Sequence, residues 1–309
     1  MLSGSEAFAG KGEGLTLQRC VGVLGASSLV GECLLPLLAD AGWQVVAYSR
    51  REDRARSHRA TWRRLDAAFS PVDSLSGEAG EIPCWICVAP IWVLPEYFSL
   101  IEAAGARRVV VLSSTSRFTK VGSGDTAENA IAARLIDAEA RMQVWATNRG
   151  IEWVILRPTL IYGYGRDKNI TELARWIRRF GFFPLLGKAL GLRQPVHADD
   201  VAAACGAALL SSAAGNSAYN LSGGETLTYR EMVERIFAAM NRRARLIAIP
   251  LCVFRLAIAC LRWLPRYRNW SAAMAERMNR DLVFDHSGAK RDLNFSPRPF
   301  QLSAEDMPA

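Results

Sequence analysis

Val21-Gly22-Val23-Leu24-Gly25-Ala26-Ser27-Ser28-Leu29-Val30-Gly31 is the stretch on which the fold of this chain turns. A short apolar run leads into a loop bounded by Gly25 and Gly31, and the apolar stripe Leu34, Leu35, Leu37 and Leu38 follows at once. Strand, Gly-rich turn and helix in that order present a helix N-terminus to a pyrophosphate. Glycine at the loop's two ends lets backbone amides approach phosphate where a side chain would intrude. Gly25, Ser27, Ser28, Leu29, Val30 and Gly31 are therefore expected to cradle a dinucleotide.

Outward from that loop the pattern repeats. Gln44–Tyr48 reads as a second strand and a short third ends near Leu65 and Asp66. Ile82–Ala89 is a near-continuous apolar run, as a strand buried on both faces requires. Leu94–Ala104 reads as helix and Arg108–Ser113 as strand. Asp125–Asn148 carries apolar residues at 131, 135, 138, 142 and 145, a helical spacing. Ile151–Leu156 is a sixth strand, stopped by Arg157 and Pro158. This alternation predicts an α/β fold, a Rossmann-type doubly wound parallel sheet.

The rhythm changes from Thr159. Helices are expected over Glu172–Phe180, Asp199–Leu210, Tyr229–Met240 and Pro250–Leu264, with one short strand, Ala218–Leu221. The expected organisation is a Gly- and Ser-rich disordered leader (1–14), a dinucleotide-binding domain (15–158) and a smaller, mostly helical substrate lobe (159–309), with the cleft between the last two.

Of the 309 residues, 50% are hydrophobic, ample for a sizeable core. Against 30 Asp and Glu stand 38 Lys and Arg, a net charge of +8 that suits an anionic partner. Nucleic acid is not expected, because no one element interleaves the basic residues with stacking aromatics. Cys84 and Cys87, among seven cysteines, make a C-x-x-C without a second ligand pair, so no metal is expected. Neither a signal peptide nor an apolar run of the roughly 18 residues that span a bilayer is present, which suggests a cytoplasmic protein. The apolar Pro250–Leu264, followed by Trp263, Arg266, Tyr267, Arg268 and Trp270, reads either as a lobe helix packed on the core or as a peripheral contact with an anionic inner-membrane face.

The end of the second strand selects the cofactor. An acidic residue about 20 positions past the loop would bind a ribose 2′-hydroxyl and favour NAD. Ser49, Arg50 and Arg51 stand there instead, a hydroxyl and two guanidiniums that suit a 2′-phosphate and favour NADP over NAD.

With these motifs in place the chain resembles the short-chain dehydrogenase/reductase superfamily, and within it the extended branch of NAD-dependent epimerases/dehydratases (nucleoside-diphosphate-sugar epimerases). The likeness runs from about Val21 to Phe300. It is carried by Gly25–Gly31, Ser113-Ser114-Thr115-Ser116, Leu156-Arg157-Pro158-Thr159-Leu160-Ile161-Tyr162-Gly163, Arg193-Gln194-Pro195-Val196-His197-Ala198-Asp199-Asp200-Val201, and Pro297-Arg298-Pro299-Phe300. The resemblance implies that Asp66 lies near the adenine, that Val88 and Ala89 line the cofactor path, and that Pro158 and Thr159 sit beside the nicotinamide. It implies that Ser113 or Ser114 hydrogen-bonds the reacting oxygen, and that Arg193 meets a substrate diphosphate, aided by Arg277 or Arg280. The substrate class it implies is a nucleotide-linked or lipid-linked sugar. A homodimer stays open.

Two departures stand out. The middle of the Gly loop is Ser28, a tolerable exchange because its hydroxyl can donate to phosphate. More seriously, the family's Tyr and Lys, four residues apart on one helix face, fall on Ile131 and Leu135 when the helix is aligned on Glu139. No tyrosine lies between Tyr97 and Tyr162, and Lys120 is the one lysine in that interval. Hydride exchange at a carbinol needs a group to handle the hydroxyl proton. Three readings follow: Lys120 or Tyr162 replaces the relay; turnover is lost, leaving a non-catalytic dinucleotide-binding protein (a redox sensor or assembly factor); or the chemistry runs by another route. His197 is expected to fix its loop through a backbone hydrogen bond, with Asp199 or Asp200 capping a helix that begins at Val201.

Overall fold

The computed structural model describes residues 19–50, 59–65, 81–122, 124–254 and 277–308. The leader (1–14), Arg51, Asp66 and the stretch from 255 to 276 fall outside them.

Seven parallel strands form one sheet in the order β11-β6-β5-β4-β1-β2-β3. They are β1 (Cys20–Leu24), β2 (Gln44–Ser49), β3 (Thr61–Arg64), β4 (Cys84–Cys87), β5 (Arg108–Leu112), β6 (Glu152–Pro158) and β11 (Ser217–Leu221). The chain steps from β1 outward through β3, then returns to pair β4 with the other edge of β1, so a crevice opens past the carboxyl ends of β1 and β4. The doubly wound parallel fold expected from the alternating pattern is the one observed.

Both sheet faces are covered, which explains the unbroken apolar runs. Val21 and Val23 of β1 join one core cluster with Val30, Leu34, Leu35 and Leu38 of α1 (Leu29–Asp40). Cys20 and Leu24 point the other way, into a cluster with Tyr48 and Trp85. The period of two along a strand makes that division. It also parts the C-x-x-C: Cys84 packs against the first cluster and Cys87 lies in the second, so the two thiols face opposite sides of the sheet.

Three expected elements are corrected. The buried strand is shorter than Ile82–Ala89, because Pro83 lacks an N–H for the ladder and β4 begins at Cys84. The expected helix Leu94–Ala104 is a 3-10 stretch, Ile91–Tyr97, containing Pro95, and then a short α2 (Phe98–Ala103). The helix expected from Val201 starts earlier, as shown below. After β5 come α3 (Ser116–Thr119) and the long α4 (Thr126–Asn148), capped by Asp125, whose carboxylate accepts from the Ala127 amide.

Among the described residues the part beyond β6 holds short strands as well as helices. Three two-stranded ladders lie among its helices: β7 (Ile161–Tyr162) with β10 (Val196–His197), β9 (Leu192–Arg193) with β12 (Leu227–Thr228), and β8 (Phe183–Leu186) with β13 (Leu246–Ile249). Its helices include α5 (Ile170–Phe180), α6 (Ala198–Leu210), α7 (Tyr229–Ala239) and α8 (Ser287–Leu293). A third core cluster joins Ile170, Ala174 and Ile177 of α5 to Val233, Ile236 and Phe237 of α7. Of the apolar 250–264 stretch the described part ends at Phe254, which is buried in that cluster. No helix among the described residues is long and apolar enough to cross a membrane.

Candidate functional site

The Gly loop sits at the mouth of the crevice. Gly25 has φ +83°, and a Cβ there would lie 2.5 Å from the Ala89 amide nitrogen, so residue 25 fixes how closely the loop approaches the end of β4. A Cβ on Gly31 would meet the Ala26 carbonyl at 2.5 Å. Ser28 caps α1, its hydroxyl accepting from the Gly31 amide at 3.1 Å. Leu29 and Val30 then open the first turn, whose amides have no intrahelical acceptor. The Leu29 side chain faces a different concavity of about 800 Å³ between α1 and α6, and Val30 is core, so any contribution of these two toward the crevice comes from backbone.

A cavity of about 420 Å³ lies over this loop, lined by Gly25, Ser27, Ser28, Tyr48, Ser49, Arg50, Leu65, Ala89, Val93, Tyr97 and Lys168 among others. Ser27 and Ser49 share a 2.9 Å hydroxyl–hydroxyl bond across it, the residue at the end of β2 thereby meeting the loop. Tyr48 is fully buried and stacked on Trp85, yet among the described residues its hydroxyl has no partner, and burial raises its pKa to about 12. An orphaned hydroxyl lining a cavity of this kind fits a ligand that brings its own polar groups. Val88 does not line the cavity. It is buried in the core, with its amide donating to the Leu24 carbonyl.

A second cavity, about 540 Å³, continues past the ends of β5 and β6. Ser114, Lys120, Thr159, Lys168, Asn169, Glu172, Arg193, Gln194, Tyr229 and Arg277 are on its wall. Ser113 is not. Its hydroxyl donates to Glu139 at 2.5 Å, and Glu139, 1% exposed on α4, also accepts from Arg117 and, at 2.6 Å, from Arg157. The Ser113 proton is thereby committed inward, which leaves its lone pairs to accept from any group on the other side. Pro158 is buried with its carbonyl accepting from Thr115, while Thr159 on the cavity wall donates its hydroxyl to the Gln194 carbonyl.

The residues at the relay positions face inward. Leu135 lies in the core cluster beneath the sheet, and Ile131 packs against it. Lys120 lines the second cavity just after Ser114, Thr115 and Ser116. Tyr162 is a different matter. It is 1% exposed, wedged edge-on between His197 and Phe300, with its hydroxyl donating to the Gln301 carbonyl, and burial raises its pKa to about 12. As a replacement proton relay it is misplaced, because it belongs to the lobe core.

The arginines divide too. Arg193 is on the cavity wall, but its guanidinium donates to the carbonyls of Leu192 (2.7 Å), Arg280 (2.8 Å) and Arg277, and burial lowers its pKa to about 10. It thus clamps the 277–280 strip against β9. Arg277 lines the cavity and pairs with Glu128, whereas Arg280 reaches the Thr119 carbonyl.

His197 caps α6, its Nδ1 accepting from the Asp199 amide at 3.2 Å, so the helix begins at Ala198 and neither Asp199 nor Asp200 is its cap. Asp200 instead receives the Arg298 amide and guanidinium. Burial works against a charge on His197, but hydrogen bonds to Asp199 and Asp306 prevail and raise its pKa to about 9. Protonation exchanges the Asp199 amide for the Asp199 carboxylate, 3.3 Å from Nδ1, while Nε2 stays 3.2 Å from Asp306. Among the described residues no cluster of His, Cys, Asp or Glu is placed to hold a metal.

The residue that sequence reasoning missed is Lys168, on the wall of both cavities. No motif marks it, and only the path of the loop before α5 brings it there.

The chain is similar to known proteins in part of its sequence and in its fold. Residues 97–222 match the model of the NAD dependent epimerase/dehydratase family. The chain is 25% identical over 320 aligned positions to a 2-alkyl-3-oxoalkanoate reductase of Stenotrophomonas maltophilia, covering 92% of this chain and 96% of that one. It is 29% identical over 119 residues to the NADH dehydrogenase 1 alpha subcomplex subunit 9 of Arabidopsis thaliana mitochondria, covering 38% of this chain. The chain spans 37% and 29% of the lengths of the first two curated relatives it matches. A UDP-glucuronic acid 4-epimerase from Bacillus cereus, solved with NAD, shares the fold at TM-score 0.68 and 15% identity, over 93% of this chain and 95% of that one.

Proposed function

We propose that this chain, whose residues 97–222 match the NAD dependent epimerase/dehydratase family, is an NAD(P)-dependent oxidoreductase acting on a nucleotide-linked sugar. The observation that carries the reading is the pair of adjoining cavities. One lies over a Gly-bounded helix N-terminus, and the other has Lys120, Lys168, Arg193 and Arg277 on its wall. A dinucleotide in the first would rest its diphosphate on the Gly25–Ser28 turn. When bound, its nicotinamide gives or takes a hydride at a carbinol carbon.

The chain's own residues supply the rest. Ser114 and Lys120, on the wall of the second cavity, are assigned to the reacting oxygen, Ser114 as its hydrogen-bond partner and Lys120 as the group that handles its proton. Ser113, off the cavity wall with its proton held by Glu139, supports the strand end from which Ser114 reaches the cavity. Arg277, and Arg193 if its clamp opens, would meet the substrate diphosphate. Ser49 and Arg50 support NADP over NAD. A lipid-linked sugar is the finer alternative, and it rests on the 250–270 segment, of which only the first residues are described.

A second reading is favoured by the Arabidopsis subunit and by the apolar Ile131–Leu135 face: a dinucleotide-binding subunit without turnover. Titration with NADPH and NADH, followed by assay with UDP-glucose and UDP-glucuronic acid, separates the two. Binding with a change in nicotinamide absorbance supports the enzyme. Binding of the nucleotide with none across such substrates supports the subunit. Binding of neither nucleotide overturns both.

A further inference from the structure

We infer that Lys168 couples the two cavities, its ammonium hydrogen-bonding the diphosphate–ribose portion of the dinucleotide at the place where substrate enters; this rests on the proposed dinucleotide reading.

Among the described residues Lys168 is the one cation on the walls of both cavities, the first holding Gly25, Ser27 and Ser28 and the second holding Ser114 and Lys120. No acidic side chain among the described residues pairs with it, whereas Arg166 beside it forms a two-pronged ion pair with Glu32. Its charge is therefore available to an anion.

The backbone under Lys168 is fixed from several sides. Tyr164 adopts φ 56° and Gly165 φ 59°, so the chain makes a tight left-handed turn just before it. The Tyr164 amide donates to Asp306 at 3.1 Å and its hydroxyl to Asp199 at 2.9 Å, tying the turn to the C-terminal strip and to α6. Arg166 ties the same loop to α1, the helix that opens on the Gly loop. Asp167, 7% exposed, accepts from the Asn169 and Thr171 amides at 2.8 and 3.2 Å and from the Thr171 hydroxyl at 2.8 Å. Lys168 thus stands between pinned neighbours with a long, free stem. A pinned base lowers the entropy lost when the ammonium meets its ligand. The tie between Arg166 and α1 keeps that base in register with the phosphate-facing turn.

The test is a fluorescence titration of NADPH, NADH and ADP-ribose into wild type, Lys168→Met and Lys168→Arg, with Lys188→Met as a control on an exposed lysine of neither cavity. Lys168→Met is expected to weaken all three nucleotides about tenfold, with Lys168→Arg within about twofold of wild type and Lys188→Met unchanged. ADP-ribose carries the diphosphate and both riboses without nicotinamide, so unchanged ADP-ribose binding in Lys168→Met overturns the assignment. A second measurement needs no variant: acetylation of wild type by an N-hydroxysuccinimide ester, read by mass spectrometry. NADPH is expected to protect Lys168 and leave Lys188 reactive; equal reactivity of Lys168 with and without NADPH overturns the inference. If wild type binds the nucleotides and Lys168→Met binds them equally well, this inference alone fails. If wild type binds none, the dinucleotide reading fails with it.

Discussion

The two cavities that meet at Lys168 are built in different ways. The one over the Gly loop is shaped by backbone and by local sequence: the Gly25–Ser28 turn, the end of β2 and the residues just after β4, all at strand ends of one sheet. The other is assembled from side chains far apart in the chain, from Ser114 to Phe284, and its wall is held by buried polar clamps. Arg193 grips three carbonyls of the 192–280 region, and Glu139 gathers Ser113, Arg117 and Arg157 beneath the floor. A backbone-made cradle tolerates changes around it. A side-chain-made one depends on each clamp.

The largest expected effect breaks that contrast at Glu139. Glu139→Ala leaves two guanidiniums, 21% and 14% exposed, facing an emptied site and is expected to cost about 3–5 kcal/mol, read as the urea midpoint. Substrate binding should suffer far more than nucleotide binding in the protein that remains folded; equal loss of both would erase the distinction drawn between the cavities.

The next test sharpens the contrast at the tie between the lobe and the loop that carries Lys168. His197 has a folded pKa of about 9 against 6.5 ordinarily, so its contribution is complete below about pH 6.5 and is lost as pH rises through about 9. Asp199 has the opposite sign: burial disfavours its charge, but hydrogen bonds prevail and hold its pKa near 2, so it contributes above 3.8, with loss as pH falls through about 2. Stability should therefore drop by about 2–3 kcal/mol between pH 6.5 and 9 in wild type, and the drop should be largely absent in His197→Asn. Chemical denaturation across that range decides it, and a flat wild-type profile would remove the role given to this histidine.

The smallest effect is confined to the backbone-made side. Arg50→Ala should lower the preference for NADPH over NADH about tenfold, roughly 1.4 kcal/mol, while stability stays unchanged. A ratio of the two dissociation constants that does not move would leave the 2′-phosphate without this partner.

Much of this architecture was legible from residue order. The alternation of buried runs and helical stripes predicted the parallel sheet, because a strand covered on both faces must be apolar throughout. Gly25 and Gly31 announced the tight turn because no other residue fits those backbone positions. Errors fell where local signals compete. Pro83 and Pro95 shortened or loosened elements that their apolar neighbours suggested, and the short ladders of the lobe are too brief to show a period.

Tyr162 shows why the second cavity was harder to read. Its phenol was a reasonable candidate by type, but the fold buries it between His197 and Phe300. Arg193 and Arg277 are likewise both cationic, yet one spends its donors on backbone and the other reaches Glu128 at the cavity wall. Such differences come from partners distant in sequence, 87 positions apart for Arg193 and Arg280.

Residue order by itself determined the sheet and the turn over helix α1, since each depends on periodicity or backbone freedom within one short window. Only the tertiary structure decided that Ser113 gives its proton to Glu139, that Tyr162 is core, and that Lys168 stands between two cavities. Those outcomes depend on which distant groups meet once the chain is packed, and burial then fixes which donors and charges are already paired and which stay free for a ligand.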